Sequence, residues 1–357
     1  MLGLSIAYNA LAAACDLAAL AFLRRRRTAR AWIGVTVAAG LAVLILALIL
    51  GGDRGSYPFR AVRLATFGLF LHGPFVLFGG AAMLGRARPK TAILSVLLGA
   101  AIVGTGIDAF LIEPTALEVT HYRFSSPKLD RPLRLVVIAD LQTDGVGDYE
   151  RQAVRRALEE KPDVLIFAGD QTQVDEAESL VLTGELNALF REEGLSAPLG
   201  VFAIRGNTDG DSWSLAFEGL PVQAVRQSER FTVGPIDLTC LEKDASFRWR
   251  KLSLPPADPR RYHVVVGHSP NFALSPNVDA DLLIAGHTHG GQIVLPLIGP
   301  LVTNTAVPRP WASGLTELSG GKKLLVSRGV GMERAYAPRL RFLCRPELVV
   351  IDLEPGE

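Results

Sequence analysis

LRLVVIADLQ at 133–142, VLIFAGD at 164–170, VFAIRGNTD at 201–209, HVVVGHS at 263–269 and LLIAGHTHGGQ at 282–292 repeat one design. Each is a short apolar run, rich in β-branched residues, that stops in an acid, an amide or a histidine, beside glycine in all but the first. Runs of that length and composition, closed by turn residues, read as buried strands. Between the first two lies Asp148–Glu160, and between the second and third Ala177–Glu193, both with apolar residues at helical spacing. Strand, helix, strand, helix is the pattern of an α/β sheet. Phe231–Leu241, Lys323–Ser327 and Glu347–Leu353 read as further strands with short links, and Glu113–Pro132 as a connector into the first strand.

The chemistry is concentrated where those strands stop. In open α/β sheets, sites form outside the carboxyl ends of strands. A single Gly-Asp ending is an ordinary turn. Five endings in order, carrying Asp140, Asp170, Asn207, His268, His287 and His289, exceed what turn chemistry requires, because they hold three of the chain's six histidines. Imidazole, amide and carboxylate donors suit Mn, Fe or Zn better than Ca. His121 and His263 lie outside the endings and read as structural. Cys15, Cys240 and Cys344 show neither CxxC nor zinc spacing and read as core or incidental residues.

The front of the chain has another character. Residues 1–116 hold 11 Lys and Arg against 4 Asp and Glu, whereas the rest is mildly acidic, with 26 against 32. An acidic body argues against a nucleic-acid groove, which needs clustered cations. Leu2–Leu23, Ala31–Leu50, Leu64–Leu84 and Thr91–Ile112 each approach the roughly 20 apolar residues that cross a bilayer as a helix. No Lys or Arg precedes the first, so it lacks the positive n-region of a signal peptide. Residues 1–116 are therefore read as a membrane domain with four transmembrane helices, and 117–357 as a globular domain. Loop Arg24–Arg30 carries five arginines and loop Gly85–Lys90 carries Arg86, Arg88 and Lys90; the opposite loop has only Arg54, Arg60 and Arg63. The positive-inside rule puts the first two loops in the cytoplasm and the globular domain outside it, as in an integral protein of a bacterial inner membrane. Asp16, His72 and Asp108 interrupt the spans, with no obvious pairing between them, and are expected to lie near interfaces or to bond between helices.

The order and strand context of the five endings resemble the calcineurin-like metallophosphoesterase family, whose pattern is Asp-x-His, Gly-Asp, Gly-Asn-His-Asp/Glu, a lone His and Gly-His-x-His. Past residue 292, Ala312-Ser-Gly-Leu315, Ser327-Arg-Gly-Val-Gly331 and Arg341-Phe-Leu-Cys344 resemble its membrane- or wall-associated, YkuE-like subgroup. The resemblance implies a four-layer α-β-β-α sandwich with two divalent metal ions at the strand ends. Carried over by position, Asp140, Gln142, Asp170 and His289 would hold one ion, and Asp170, Asn207, His268 and His287 the other, with Asp170 bridging. Asp170, Asn207, Thr208 and His268 would be the catalytic positions. Two cations ~3.5–4 Å apart clamp a phosphate and acidify a water that attacks phosphorus.

Two positions depart from the family pattern. Gln142 stands where the first motif has histidine, so that ion would be held by a neutral amide oxygen. Thr208 stands where the third motif has the histidine that, in the family it resembles, stabilises the transition state or protonates the leaving group. General acid help is worth roughly 10²–10⁴-fold, and its loss hurts least where the leaving group is already a stable anion. The expectation is a membrane-anchored phosphoesterase acting on phosphodiester or pyrophosphate bonds of a small or lipid-linked substrate. The alternative is a degenerate domain that binds metal or phosphate as a sensor or scaffold without turnover. Arg205 and Arg328 are candidate phosphate contacts, and loops Asp209–Leu220 and Pro296–Trp311 candidate pocket walls.

Overall fold

A computed structural model of the chain describes residues 2–52 and 58–356. The chain divides into two compact units. One holds the chain as far as Ile112 together with Arg334–Arg339; the other runs Glu113–Glu333 and resumes at Leu340.

The first unit is helical: α1 (Leu2–Arg26), α2 (Ala29–Gly51), α3 (Phe59–Phe67), α4 (Gly73–Leu84) and α5 (Pro89–Ile107). A π-helical turn, Gly68–His72, runs α3 into α4, so the third span is continuous from Phe59 to Ala87. Among the described residues, four helices are long and apolar enough to cross a membrane, and they contain the four expected segments. The break after α1 has a local cause: Thr28 accepts the Ala31 N–H at 3.1 Å and caps α2. Arg24, Arg25 and Arg26 fill the last turn of α1, where cations meet the negative end of the helix dipole. Of the loop arginines counted above, Arg54 lies outside the described residues. Two of the three intramembrane polar residues, Asp16 and His72, bond between helices as expected, although the sequence shows no obvious pairing. His72 Nδ1 lies 2.6 Å from Asp16 Oδ2, and its Nε2 3.0 Å from Asn9 Oδ1. Asp108 takes no part and is exposed.

The second unit contains fourteen strands, two of them forming a small separate hairpin: β1 (Glu118–Ser126), β2 (Leu133–Ile138), β3 (Val164–Phe167), β4 (Val201–Ile204), β5 (Val222–Val225), β6 (Glu229–Val233), β7 (Ile236–Cys240), β8 (Tyr262–Val266), β9 (Leu282–Ala285), β10 (Val294–Leu295), β11 (Gly299–Pro300), β12 (Gly314–Glu317), β13 (Lys323–Val326) and β14 (Glu347–Pro355). They build two six-stranded sheets, ordered β1-β14-β2-β3-β4-β5 and β12-β13-β9-β8-β7-β6. Pairing is parallel except at β14–β2, β12–β13 and β6–β7.

Strand alternation makes the sandwich. Leu135, Val137, Ile166 and Ile204 of the first sheet join Val264, Val266, Leu282 and Ile284 of the second in one buried core between them. The intervening residues face outward. Val136, Ile138, Leu165 and Phe167 meet α6 (Asp148–Glu159) and α7 (Glu176–Glu192) through Ala153, Val154, Leu186 and Phe190. On the other sheet, Val265, Leu283 and Ala285 are covered by Leu241, Leu252, Phe272 and Val278, from short turns and links rather than long helices. The arrangement is the expected four-layer α/β sandwich, with a thin fourth layer. Glu113–Pro132 is not only a connector, because its nine-residue β1 pairs in parallel with β14 along its whole length. The three cysteines are free.

Candidate metal centre at the strand ends

The five strands β2, β3, β4, β8 and β9 end on the same side, and their last backbone groups knit together. Asp140 N–H donates to Gly169 O at 3.0 Å, Gln142 N–H to Asp170 O at 2.8 Å, and Gly286 N–H to His268 O at 3.0 Å. The turns are tight enough that Asp140, Gln142, Asp170, His287 and His289 all have positive φ, between 41° and 72°. Only eleven described non-glycine residues do so, and such strain clusters where function holds it in place. Gly169, at φ 93°, is required sterically as well: a Cβ there would lie 2.5 Å from His268 Nδ1.

The side chains converge. Asp170, His268 and His287 place one donor atom each within 4.8 Å of one another, all buried. His268 Nε2 lies 3.2 Å from Asp170 Oδ2 and 3.0 Å from Asn207 Oδ1, so three potential donors face one point. Its Nδ1 lies 2.9 Å from Ala168 O, which holds the hydrogen there and leaves Nε2 for the centre. His287 Nε2 is held in the same way by Asn304 O at 3.2 Å. Asp140 accepts the His287 N–H through both oxygens, at 2.9 and 3.0 Å. His289 Nδ1 is buried and, among the described residues, has no hydrogen-bond partner; Gln171 Oε1 and Thr172 Oγ1 beside Asp170 share that condition. Buried polar atoms are ordinarily paired. This set of carboxylates, imidazoles and orphaned donors fits divalent cations.

Charge is arranged to match. Burial pushes the Asp140 carboxyl up to about 7, with the neighbouring Asp170 charge adding to it. Burial also acts on Asp170, but the His268 charge and hydrogen bond and the Thr208 N–H outweigh it and hold that carboxyl near about 2. His268 is the counterpart: burial lowers it, and Asp170 prevails and raises it to about 9. His287 falls to about 4 through burial and the His268 charge. His289 falls well below the usual imidazole range through burial and Arg341. Two imidazoles are thus neutral and ready to ligate.

The remaining expected residues are placed as follows. Asn207 is exposed at the mouth. The Thr208 hydroxyl donates to Thr172 O at 2.8 Å, and its N–H to Asp170 Oδ1 at 2.8 Å. Gln142 Nε2 donates to Gln173 Oε1 at 3.0 Å and to Glu333 Oε2 at 3.2 Å. The two arginines considered for phosphate are engaged elsewhere. Arg205 donates to Asp209 O and Asp211, and Arg328 to Glu118 and Glu347. His263 is structural, between Thr239 and Asp279 O.

Several participants were not singled out from the sequence. Asp209 accepts the N–H groups of Gln171, Thr172 and Gly206 and so shapes the loop that carries Asn207. Burial, then the Asp170 charge, raises its carboxyl to about 7. Arg341 is fully buried and donates to the carbonyls of Arg328, Gly329, Gly331 and Cys344. Phe247 packs edge-on against His287, with ring centroids 4.9 Å apart. Glu333 accepts from Gln173 at 2.6 Å and donates its N–H to Gln292 Oε1 at 2.9 Å. Phe247 and Glu333 have no sequence signature, whereas Asp209 closes the third motif and Arg341 opens the Arg341–Cys344 stretch.

Comparison with known proteins places the globular part of the chain among metallophosphoesterases. The family profile described as calcineurin-like phosphoesterase matches residues 133–291. The chain is 26% identical over 278 residues to the uncharacterized metallophosphoesterase YkuE of Bacillus subtilis, covering 72% of this chain and 92% of that one. It is 27% identical over 262 residues to an uncharacterized metallophosphoesterase of Aquifex aeolicus, covering 68% and 94%. It is 26% identical over 263 residues to the phosphodiesterase YaeI of Escherichia coli, covering 68% and 90%.

Proposed function

The chain carries a calcineurin-like metallophosphoesterase domain, a fold family of phosphoester hydrolases, and on that premise we propose that it is a membrane-anchored phosphodiesterase or pyrophosphatase with a two-metal centre. The observation that carries the reading is the convergence of Asp170, His268 and His287 within 4.8 Å, flanked by Asp140, Asn207 and the orphaned His289. Asp140, Gln142, Asp170 and His289 would hold one ion; Asp170, Asn207, His268 and His287 would hold the other. Bound divalent ions would supply Lewis acidity and neutralise phosphate charge.

The chain's own groups do the rest. Asp170 is held at Oδ1 by the Thr208 N–H and turns Oδ2 toward His268 Nε2, where it would bridge the two ions. Ala168 O and Asn304 O fix the His268 and His287 rings. Phe247 walls the two imidazoles from one side. No side chain offers a proton at position 208, because that hydroxyl is committed to Thr172 O. This favours substrates whose leaving group departs as a stable anion, as in a pyrophosphate or an activated diester. Four spans would hold the site near the bilayer of an inner membrane, where lipid-linked phosphates are concentrated. The arginine asymmetry of the loops favours a catalytic domain outside the cytoplasm.

The test is Mn²⁺-dependent hydrolysis of bis-p-nitrophenyl phosphate by the full chain in detergent, beside Asp170→Asn. Activity lost in the variant, with two metal ions per wild-type chain, supports the reading. A folded, metal-loaded protein without activity, or one holding a single ion, favours the binding-only alternative. A fusion reporter after residue 356 that works only in the cytoplasm would overturn the orientation.

A further inference from the structure

The helical unit contains a cavity that the proposed reaction does not use. It measures about 380 Å³, within the range of small-molecule sites. Its wall is mostly aliphatic, from residues such as Val43, Val76, Leu77 and Ile102. Three polar side chains break that wall: Asp16, Thr36 and His72. The π-turn Gly68–His72 delivers His72 to it, and π-turns inside helices are frequent at functional sites.

The hydrogen bonds define what the cavity offers. Asn9 Nδ2 donates to Ser5 O at 2.7 Å, which turns Asn9 Oδ1 toward His72 Nε2 at 3.0 Å. An amide oxygen only accepts, so Nε2 carries a hydrogen. One proton then lies between His72 Nδ1 and Asp16 Oδ2, 2.6 Å apart, and the pair is net neutral wherever that proton sits. This uses one carboxyl oxygen. The other, Asp16 Oδ1, is buried and has no hydrogen-bond partner among the described residues, and the same is true of Thr36 Oγ1. Inside a bilayer no water relieves such groups, so leaving both bare is costly.

We propose that this cavity binds a lipid alcohol, a long-chain molecule whose terminal hydroxyl donates to Asp16 Oδ1 and accepts from the Thr36 hydroxyl. A hydroxyl can donate to Asp16 Oδ1 and at the same time accept from the Thr36 hydroxyl, so one uncharged group serves both orphaned atoms. No Lys or Arg lines the cavity, so a phosphate head finds no counter-charge. The Asp16–His72 pair is already neutral, so an ammonium head finds no unpaired anion. A hydrocarbon satisfies neither polar atom. Leu44 and Leu69, 46% and 50% exposed, form an edge past which the chain can leave for the surrounding lipid. The inference is independent of the strand-end chemistry.

The test uses the full chain in lipid nanodiscs and a diazirine-bearing hexadecanol. Labelling is expected on α2 and on Gly68–Leu77, and hexadecanol is expected to compete at about tenfold lower concentration than hexadecane, hexadecylamine or hexadecyl phosphate. Thr36→Val keeps the side-chain shape and the Asp16–His72 pair; it is expected to weaken labelling about 5–10-fold, the loss of one hydrogen bond. Gly40 lines the cavity and has nothing within 4 Å of a Cβ built on it, so Gly40→Leu adds bulk to the wall with no clash at its Cβ and is expected to weaken labelling strongly. Equal competition by hexadecane, better competition by the amine or the phosphate, or labelling indifferent to both variants would each overturn the proposal. Asp170→Asn leaves labelling unchanged, so loss of hydrolysis and loss of this site remain separate results.

Discussion

Thr208→His is the substitution that most directly probes how this centre treats its leaving group. In the wild type the residue is half-buried and its hydroxyl is spent on Thr172 O at 2.8 Å, while its N–H braces Asp170. The backbone bond to Asp170 survives the change; the side-chain bond does not, a loss of about 1 kcal/mol of stability. An imidazole at this position brings a titratable proton to the loop that already carries Asn207. Where the leaving group is a poor alkoxide, that proton is worth roughly 10²–10⁴-fold in rate, or about 3–5 kcal/mol of barrier. Where the leaving group is p-nitrophenolate, already a stable anion, the gain shrinks toward nothing. The assay is kcat/KM over a series of phosphodiesters with leaving groups of graded acidity, for both proteins, with Mn²⁺ supplied. The wild type should show a steep dependence on leaving-group acidity, and Thr208→His a shallower one that meets it at the most acidic leaving group. A wild-type rate indifferent to the leaving group, or a variant that gains equally on every substrate, refutes the reasoning.

Metal binding should release protons. His268 is raised to about 9, so it is charged at neutral pH, and Asp140 is raised to about 7 and is half protonated there. Both protons must leave before these groups ligate, so Mn²⁺ affinity rises with pH from about 6 to 9; calorimetry in buffers of different ionisation enthalpy reads the release, and none at pH 7 would contradict the assigned donors. Glu333→Gln keeps the shape beside Gln142 but removes the charge that accepts its amide at 3.2 Å. It should weaken one of two Mn²⁺ sites about tenfold and spare the other, seen in a titration followed by metal analysis. Arg341→Met leaves the Gly329, Gly331 and Cys344 carbonyls short of a donor and is expected to cost about 3 kcal/mol, a Tm loss of roughly 10 °C by calorimetry for a domain of this size.

The strands that decide the fold were legible because they are buried on both faces. Leu133–Ile138 and Tyr262–Val266 sit inside their sheets, so they read as nearly unbroken apolar runs. β1 was not legible for the opposite reason. It is an edge strand of mostly half-buried and polar residues, and only its pairing with β14, more than 200 residues away, makes it a strand. The residues proposed as ligands could be picked out because Asp, Asn and His recur at strand ends, where a parallel α/β sheet puts its chemistry. Their backbone geometry could not: nothing in Asp140, Asp170 or His287 as residue types announces a positive φ. The supporting shell was not legible either. Arg341 and Glu333 reach the site through contacts that sequence spacing does not encode, Glu333 to Gln142 across 191 positions. The Asp16–His72 pair bridges 56 positions between helices whose apolar surroundings hide any pairing rule.

Gln142 is where the enzyme and binding-only readings divide, and its surroundings favour the enzyme. A histidine-to-amide change in a decaying site would leave a neutral side chain among groups shaped for something else. Here the amide nitrogen points at two acceptors, Gln173 Oε1 and Glu333 Oε2, and Glu333 is itself held by Gln173 and by its own N–H to Gln292. With the nitrogen bonded to Gln173 and Glu333, the amide has a defined orientation. The nearby carboxylate also adds negative charge beside a position that has lost a stronger donor. A neutral oxygen backed by a carboxylate makes a weaker site than imidazole, yet still an ordered one. The consequence is asymmetric metal affinity. An ion in the proposed Asp170, Asn207, His268 and His287 set should stay bound through dialysis against a weak chelator, whereas one in the proposed Gln142 set should exchange, and activity should follow the occupancy of the weaker site as Mn²⁺ is added back.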